Sequence, residues 1–473
     1  MRLTGRRSLR LGTKLTVSRR RSREPIFSEA VVDSLDQEGR GVARVDGKVM
    51  FIDGALPGEL VRVQIHRRKK SFDEAFTIEV LRASEERVMP RCPHFGLCGG
   101  CVLQHLDGDA QLRHKQDDLL QKLARIGQVH PQHIGEAIRG PLWGYRRKAR
   151  LGAKHVPAKG GVLVGFRERR AHLIAQIDEC HVLIPQVGMR ITALRELLAT
   201  LDAHADIAQI EVAASEEEVL LILRHLVPLS EPDRDKLSDF AREHQLMIAL
   251  QSGGPDTVTG LYPASLPLLS YRLDEFGLVL FFSALDFVQV NAAINAVLVR
   301  EAVAALDPQS GEPVLDLFCG LGNFSLALAR RGAMVDGVEL GEAMVSRARS
   351  NASHNALQSS ARFHNGDLFQ ADIARQFIAQ GAAKVLLDPP RSGAEAVVAA
   401  IGEAGGAAPQ RIVYVSCNPA TLARDAGALV NEHGYQMREV RVVDMFPHTN
   451  HLEAMAIFER GEQAVCSSIT SGP

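Results

Sequence analysis

Two stretches near the C-terminus carry residue types able to add to a pyrimidine ring and then take a proton from it. "VYVSCNPATLARD" sets a thiol, Cys417, between an apolar strand-like run and a turn that begins Ser-Cys-Asn-Pro. "DMFPHTNHLEAMAIF" supplies a carboxylate, Glu453, beside a second such run. C5 of uracil is a poor nucleophile, but a thiolate adding at C6 creates an enolate with electron density at C5. A base must later remove the C5 proton so that the thiol can leave. Cys417 suits the first role and Glu453 the second. Each residue also has a plainer use: a cysteine at a strand end is commonly a small core residue, and a glutamate a surface charge.

These groups need a frame. From Phe287 onward "PVLDLF", "MVDGVEL", "AKVLLD" and "RIVYVS" read as strands separated by helical stretches, a texture that predicts a doubly wound α/β sheet. In "VLDLFCGLGNFSLALA" a strand from Val314 to Leu317 meets a tight loop and a helix starting near Phe324. Gly320 and Gly322 let backbone approach a ligand, yet the third glycine of a dinucleotide loop is missing. Glu339 closes the second strand at the position for ribose hydroxyls, and Asp367 in "NGDLF" offers itself to an adenine amine. Loop, Glu339 and Asp367 in this order favour S-adenosyl-L-methionine over NAD. "LLDPPRSG" places Asp388 before two prolines in the mouth of the pocket. It looks like the Asp-Pro-Pro-aromatic motif of amino-directed nucleic-acid methyltransferases, but Arg391 stands where the aromatic residue would stack on the base. That departure argues against an exocyclic amine as the target.

"RCPHFGLCGGC" spaces Cys92, Cys98 and Cys101 by five and two residues, and Cys180 in "IDECHVLIP" is the best fourth ligand. Cys319 and Cys417 belong to the motifs above, and Cys466 lies in a polar tail. Such thiols in an intracellular protein suggest metal rather than disulfides. Four thiolates fit a 4Fe-4S cluster; zinc, or thiols without a metal, remain open readings.

The start of the chain is of another kind. "MRLTGRRSLRLGTKLTVSRRRSR" has no acidic residue before Glu24, which suits phosphate binding, a solubilising extension or a transit peptide. Residues 1–82 hold 18 Lys+Arg against 11 Asp+Glu, within a chain of net charge -1. From Pro25 to about Ala83 short strands with turn signals predict a closed five-stranded barrel, with Asp46-Gly47 as a two-residue hairpin turn. No run of 18 apolar residues and no secretory signal occurs, so a cytoplasmic monomer is expected, with no membrane or DNA partner. The expected divisions are a basic tail (1–24, disordered), the barrel (25–84), a central α+β domain (85–285, part of 105–127 packing on the next), the methyltransferase domain (286–460) and a tail (461–473).

"DFVQVN", "DLFCGLGNFS", "LDPPRSGA", "VSCNPATLARD" and "PHTNHLEAM", spanning Asp286 to Met455, resemble the motifs of the RNA uracil-C5-methyltransferases. The resemblance implies a Rossmann-like domain with Cys417 as nucleophile and Glu453 as base. It implies that Gln289, Phe318, Asn323, Glu339, Asp367 and Asp388 contact S-adenosyl-L-methionine, and that Phe287 stacks on the target base. Cys92, Cys98, Cys101 and Cys180 resemble the 4Fe-4S ligands of members that modify 23S ribosomal RNA. A TRAM-type barrel joined to such a cluster is similar to one subgroup of them, and the resemblance implies that enzymes of the transfer-RNA T-loop lack both.

Overall fold

The structure, a computed structural model, describes residues 26–461. The readings made for the basic tail and for Cys466 therefore lie outside the described residues. The described chain forms two compact units, one of residues 26–34 and 40–84, the other of residues 35–39 and 85–461.

The first unit is the expected barrel. Strands β1 (Ile26–Leu35), β2 (Gly41–Val45), β3 (Lys48–Asp53), β4 (Leu60–Arg68) and β5 (Phe72–Arg82) close in the order β1-β2-β3-β5-β4. Asp46 and Gly47 both have positive φ, 51° and 77°, which matches the twist of a two-residue hairpin. Alternate residues such as Val32, Met50, Ile52, Val61 and Val63 point inward and fill the interior.

The second unit holds three sheets. After β6 (His133–Ile134) comes a six-stranded sheet of β7 (Lys148–Val156), β8 (Gly161–Gly165), β9 (Ile207–Ala214), β10 (Val219–His225), β11 (Met247–Gln251) and β12 (Val258–Tyr262), ordered β12-β11-β10-β9-β7-β8. One face of that sheet packs on the helices Ile191–Thr200 and Glu231–His244. A hairpin of β13 (Leu269–Leu273) and β14 (Leu278–Phe282) follows.

The third sheet takes β15 (Pro313–Leu317), β16 (Met334–Glu339), β17 (Ala361–Asn365), β18 (Lys384–Leu387), β19 (Arg411–Ser416), β20 (Tyr435–Val443) and β21 (Glu453–Arg460). Its order is β17-β16-β15-β18-β19-β21-β20-β6. The first five strands are parallel, and β21 enters antiparallel to β19. Helices Ala292–Leu306, Ser325–Arg330 and Glu342–His354 contribute to the apolar core on one face. Helices Ala371–Ile378, Glu395–Glu403 and Pro419–Asn431 cover the other, joined there by Gly108–Lys122 from far upstream. Double winding is thus the consequence of strands apolar on both faces, which need cover on both.

Candidate active site

β15, β16, β18 and β19 stop at Leu317, Glu339, Leu387 and Ser416, so Phe318, Glu339, Asp388 and Cys417 gather along one edge of the sheet. Strand order reverses around β15, with β16 on one side and β18 on the other, the place where sheets of this kind bind ligands.

Register brings the thiol to the carboxylate. Ser416 of β19 pairs with Ala454 of β21, so one step beyond that pair Cys417 faces Glu453, the first residue of its strand. Glu453 is only 3% exposed. Burial pushes its carboxyl up to about 7. Asp388 is raised well above the usual carboxylate range, first by burial and then by Glu453 and Asp316. The half-buried Cys417 thiol is raised by burial and by the negative charge of Glu453 and Asp388, while Arg391 pulls it down. Burial thus favours the neutral form of each of these groups.

The helix after the nucleophile is built to hold the Asp-Pro-Pro-Arg turn. Pro419 is at its first position and the Asn418 side chain caps it, accepting from the Ala420 amide. Along one face of this helix Asn418 Nδ2 donates to Arg391 O (2.8 Å) and Arg424 to Ser392 O (3.1 Å). Asp425 Oδ2 accepts from the Ala394 amide (2.8 Å) and from the Tyr414 hydroxyl (2.6 Å). Asp425 is 2% exposed, so its loss would leave two donors buried without partners. Asp425→Ala is expected to cost about 3 kcal/mol of stability, read from the urea midpoint, because it breaks a buried charged network.

On the cofactor side Phe318 has φ 67°, a conformation costly for a bulky side chain and typical of functional loops. Glu339 Oε2 accepts from the Gly320 amide (3.2 Å) and Oε1 from the Gly341 amide (2.9 Å), leaving its carboxylate beside the glycine loop. Asp367 accepts from the Phe369 amide (3.1 Å) and from Gln370 (2.9 Å). Phe369, 46% exposed, sets its ring 5.8 Å from that of Phe318. The "NGDLF" stretch contained it, but a lone exposed phenylalanine has no signal until its partner ring is known. Asn323 is already engaged: its Oδ1 accepts from Tyr271 (2.8 Å) and Asn295 (3.0 Å), and its Nδ2 donates to Asn295 (2.9 Å). That amide network ties the loop to the helix Ala292–Leu306. Gln289 is partly buried and Phe287 is 69% exposed, both on the segment after β14. The Arg147 amide holds this segment by donating to Val290 O (3.0 Å).

The four upstream cysteines also converge. Cys92, Cys98, Cys101 and Cys180 line one cavity of ≈ 200 Å³, with Arg146, Thr449 and His451 on its wall. Each thiol is raised first by burial, Cys98 to about 11 and Cys101 to about 12, with neighbouring thiols adding to it at Cys98, Cys101 and Cys180 and Glu179 at Cys92. Among the described residues no three His, Cys, Asp or Glu side chains are gathered as a single metal ion requires.

The family described as tRNA (uracil-5-)-methyltransferase matches residues 278–461, and the TRAM domain matches residues 29–75. The chain belongs to the RNA uracil-C5-methyltransferase family and has the fold of S-adenosyl-L-methionine-dependent methyltransferases with an N-terminal TRAM barrel. It is 51% identical, over 91% of its length and 99% of the relative's, to the 23S rRNA (uracil(1939)-C(5))-methyltransferase RlmD of Azoarcus sp. (strain BH72). A protein of the same name from Thiobacillus denitrificans (strain ATCC 25259 / T1) is 50% identical over 91% of this chain and 99% of its own. Among solved structures, Pyrococcus abyssi tRNA (uracil-54, C5)-methyltransferase in complex with S-adenosyl-L-homocysteine is similar with a TM-score of 0.68 at 25% identity. That match covers 91% of this chain and 100% of the other. So long a span reaches into the barrel. The expectation that transfer-RNA enzymes lack the barrel is therefore corrected, and the barrel alone does not separate the two kinds of substrate.

Proposed function

We propose that this protein methylates C5 of one uridine in 23S ribosomal RNA, through a covalent bond between Cys417 and C6 of the ring. The observation that carries the chemistry is the register that sets Cys417 against the buried Glu453, with Asp388 coupled to both. The ribosomal substrate rests on the relatives that are about half identical over nearly the whole chain.

The target base must leave its stack, because the thiol approaches C6 from the ring face. Once its thiol proton has passed to water, Cys417 Sγ bonds to C6 as the C5–C6 double bond opens, and the electron pair goes to C5. S-adenosyl-L-methionine supplies the methyl group when bound, and Glu339, Asp367, Asp388, Gln289, Phe318 and Asn323 are the residues that would hold it. The bonds of the Asn323 side chain to Tyr271 and Asn295 hold the loop and leave one Nδ2 hydrogen free to donate. Glu453 then takes the C5 proton, the electron pair re-forms the double bond, and Cys417 departs as thiolate. A carboxyl held near 7 by burial suits this step, since it ionises close to working pH.

The cysteine cavity fits an iron-sulfur group. Four thiols lining one cavity supply the donor set of a 4Fe-4S core held by Cys92, Cys98, Cys101 and Cys180. Methyl transfer moves no net electrons, so such a core would act as a cross-link between residues 92–101 and Cys180. We take the protein to work as a cytoplasmic monomer on RNA, not on DNA or a membrane.

The substrate is tested by mapping methyl groups on 23S ribosomal RNA from cells lacking the protein. One uridine should lose its C5 methyl and regain it when the purified protein and S-adenosyl-L-methionine are added. Full methylation of that RNA in the absence of the protein would refute the assignment.

A further inference from the structure

The single tryptophan of the chain sits between the cysteine cavity and the loop that leads to Glu453. Trp143 stacks on His448 with ring centroids 3.9 Å apart and planes at 29°. Its other neighbours adjoin the cysteines: the His181 ring, next to Cys180, lies edge-on at 6.2 Å, and the Arg91 guanidinium, next to Cys92, at 5.3 Å. The third link is through backbone, since the Val102 and Leu103 amides, just after Cys101, both donate to His448 O at 2.9 and 3.0 Å. Three of the four cysteines are thus one residue from a contact to the Trp143–His448 pair.

His448 itself is held tightly. It has φ 66°, is 4% exposed, donates its amide to Gln111 Oε1 (2.9 Å) and places Nδ1 3.3 Å from Gln111 Nε2. Beside it, the Tyr145 hydroxyl donates to Pro447 O (3.0 Å), and buried Lys115 bridges Asp444 (2.7 Å) and Phe446 O (3.1 Å). Thr449 and His451 then turn onto the cavity wall, and Glu453 opens β21 two residues later.

We propose that His448 and Trp143 are positioning residues that couple the cysteine site to the catalytic loop, so that a filled cluster sets the Glu453 carboxylate and an empty one releases it. This rests on the reading of Glu453 as base given above. It gives the cysteine site a task in the reaction although no electron is transferred: the cross-linked residues 92–101 and 180 grip a bulky pair, and the pair fixes the turn from which the base projects. His448 touches no reacting atom, so its loss falls on the step that Glu453 performs and spares the step that Cys417 performs.

The test compares full-length, iron-loaded wild type with His448→Ala on RNA containing ordinary uridine and on RNA containing 5-fluorouridine. The variant should keep its iron and its KM for RNA, lose about 100-fold in kcat, the size a displaced catalytic group costs, and accumulate covalent protein–RNA adduct on ordinary uridine. It should still trap 5-fluorouridine, which needs Cys417 and the methyl donor but no proton removal by Glu453. A second measurement needs no variant: hydrogen exchange over residues 444–453 should be about tenfold faster after the iron is stripped from wild type, with the β9–β10 strands serving as the control for retained fold. Wild-type kcat in His448→Ala, or exchange over 444–453 unchanged by iron, overturns the coupling. Failure of wild type to trap 5-fluorouridine would instead sink the covalent reading on which it rests.

Discussion

Cys417→Ser should lose methyl transfer by on the order of 10⁴-fold or more, the scale seen when a covalent nucleophile is removed from an intact site. A hydroxyl of ordinary acidity cannot supply the anion that adds to C6. The thiol is embedded in the strand-to-helix corner, and serine is close to it in size. Binding of S-adenosyl-L-methionine and of RNA should therefore stay within about threefold of wild type, since a near-isosteric swap perturbs packing little. Calorimetric titration checks the binding, and a single-turnover assay with labelled methyl groups checks the chemistry. A variant that binds both partners and still methylates rapidly would remove Cys417 from the reaction.

Glu453→Gln should separate two properties that usually fall together. Turnover should drop by about 10²- to 10⁴-fold, the usual contribution of a positioned base. Stability should rise, with a pH dependence fixed by the shifted carboxyl. Its ordinary value is 4.5, and burial lifts it to about 7 in the folded protein. Below 4.5 the group is protonated whether folded or unfolded, so wild type and variant are equal there. As pH rises toward 7 the unfolded chain gains charge while the folded one keeps its proton, and wild type loses stability through that window. Above it the shift corresponds to about 3 kcal/mol, and the glutamine variant should be the more stable by about that amount at pH 8. Urea unfolding at pH 4 and pH 8 reads the difference directly. The same substitution removes the largest negative charge acting on the thiol, so adduct formation on 5-fluorouridine RNA should be retained.

Much of this site could be read from the chain before its structure. Apolar strand runs ending in Asp-Pro-Pro or Ser-Cys-Asn-Pro place their polar residues at strand termini, and β18 and β19 do end at Leu387 and Ser416. The Asp46-Gly47 turn was equally plain, because its backbone demand is local. What stayed hidden depends on partners far away in sequence. β6 joins the far edge of the third sheet beside β20, roughly 300 residues on, through a strand only two residues long. No periodicity marks so short an element. The bonds of Asp425 to Ala394 and Tyr414 leave no mark in the sequence around it. The resemblance implies a ligand contact for Asn323, and what the sequence does not show is that Tyr271 and Asn295 bond its side chain. The spacing of Cys92, Cys98 and Cys101 announced a site, but only the fold brings Cys180 onto the same cavity as the loop of His451.

The proposed reaction requires a carbon–sulfur bond between this protein and its RNA. The most direct measurement incubates the protein and S-adenosyl-L-methionine with ribosomal RNA carrying 5-fluorouridine at the target, digests the product, and finds the modified peptide by mass. The expected result is one nucleotide joined to the peptide that contains Cys417, since fluorine cannot leave as the proton does and the adduct cannot resolve. A methylated fluorouridine released free of protein, or a nucleotide attached to any other residue, would contradict the mechanism.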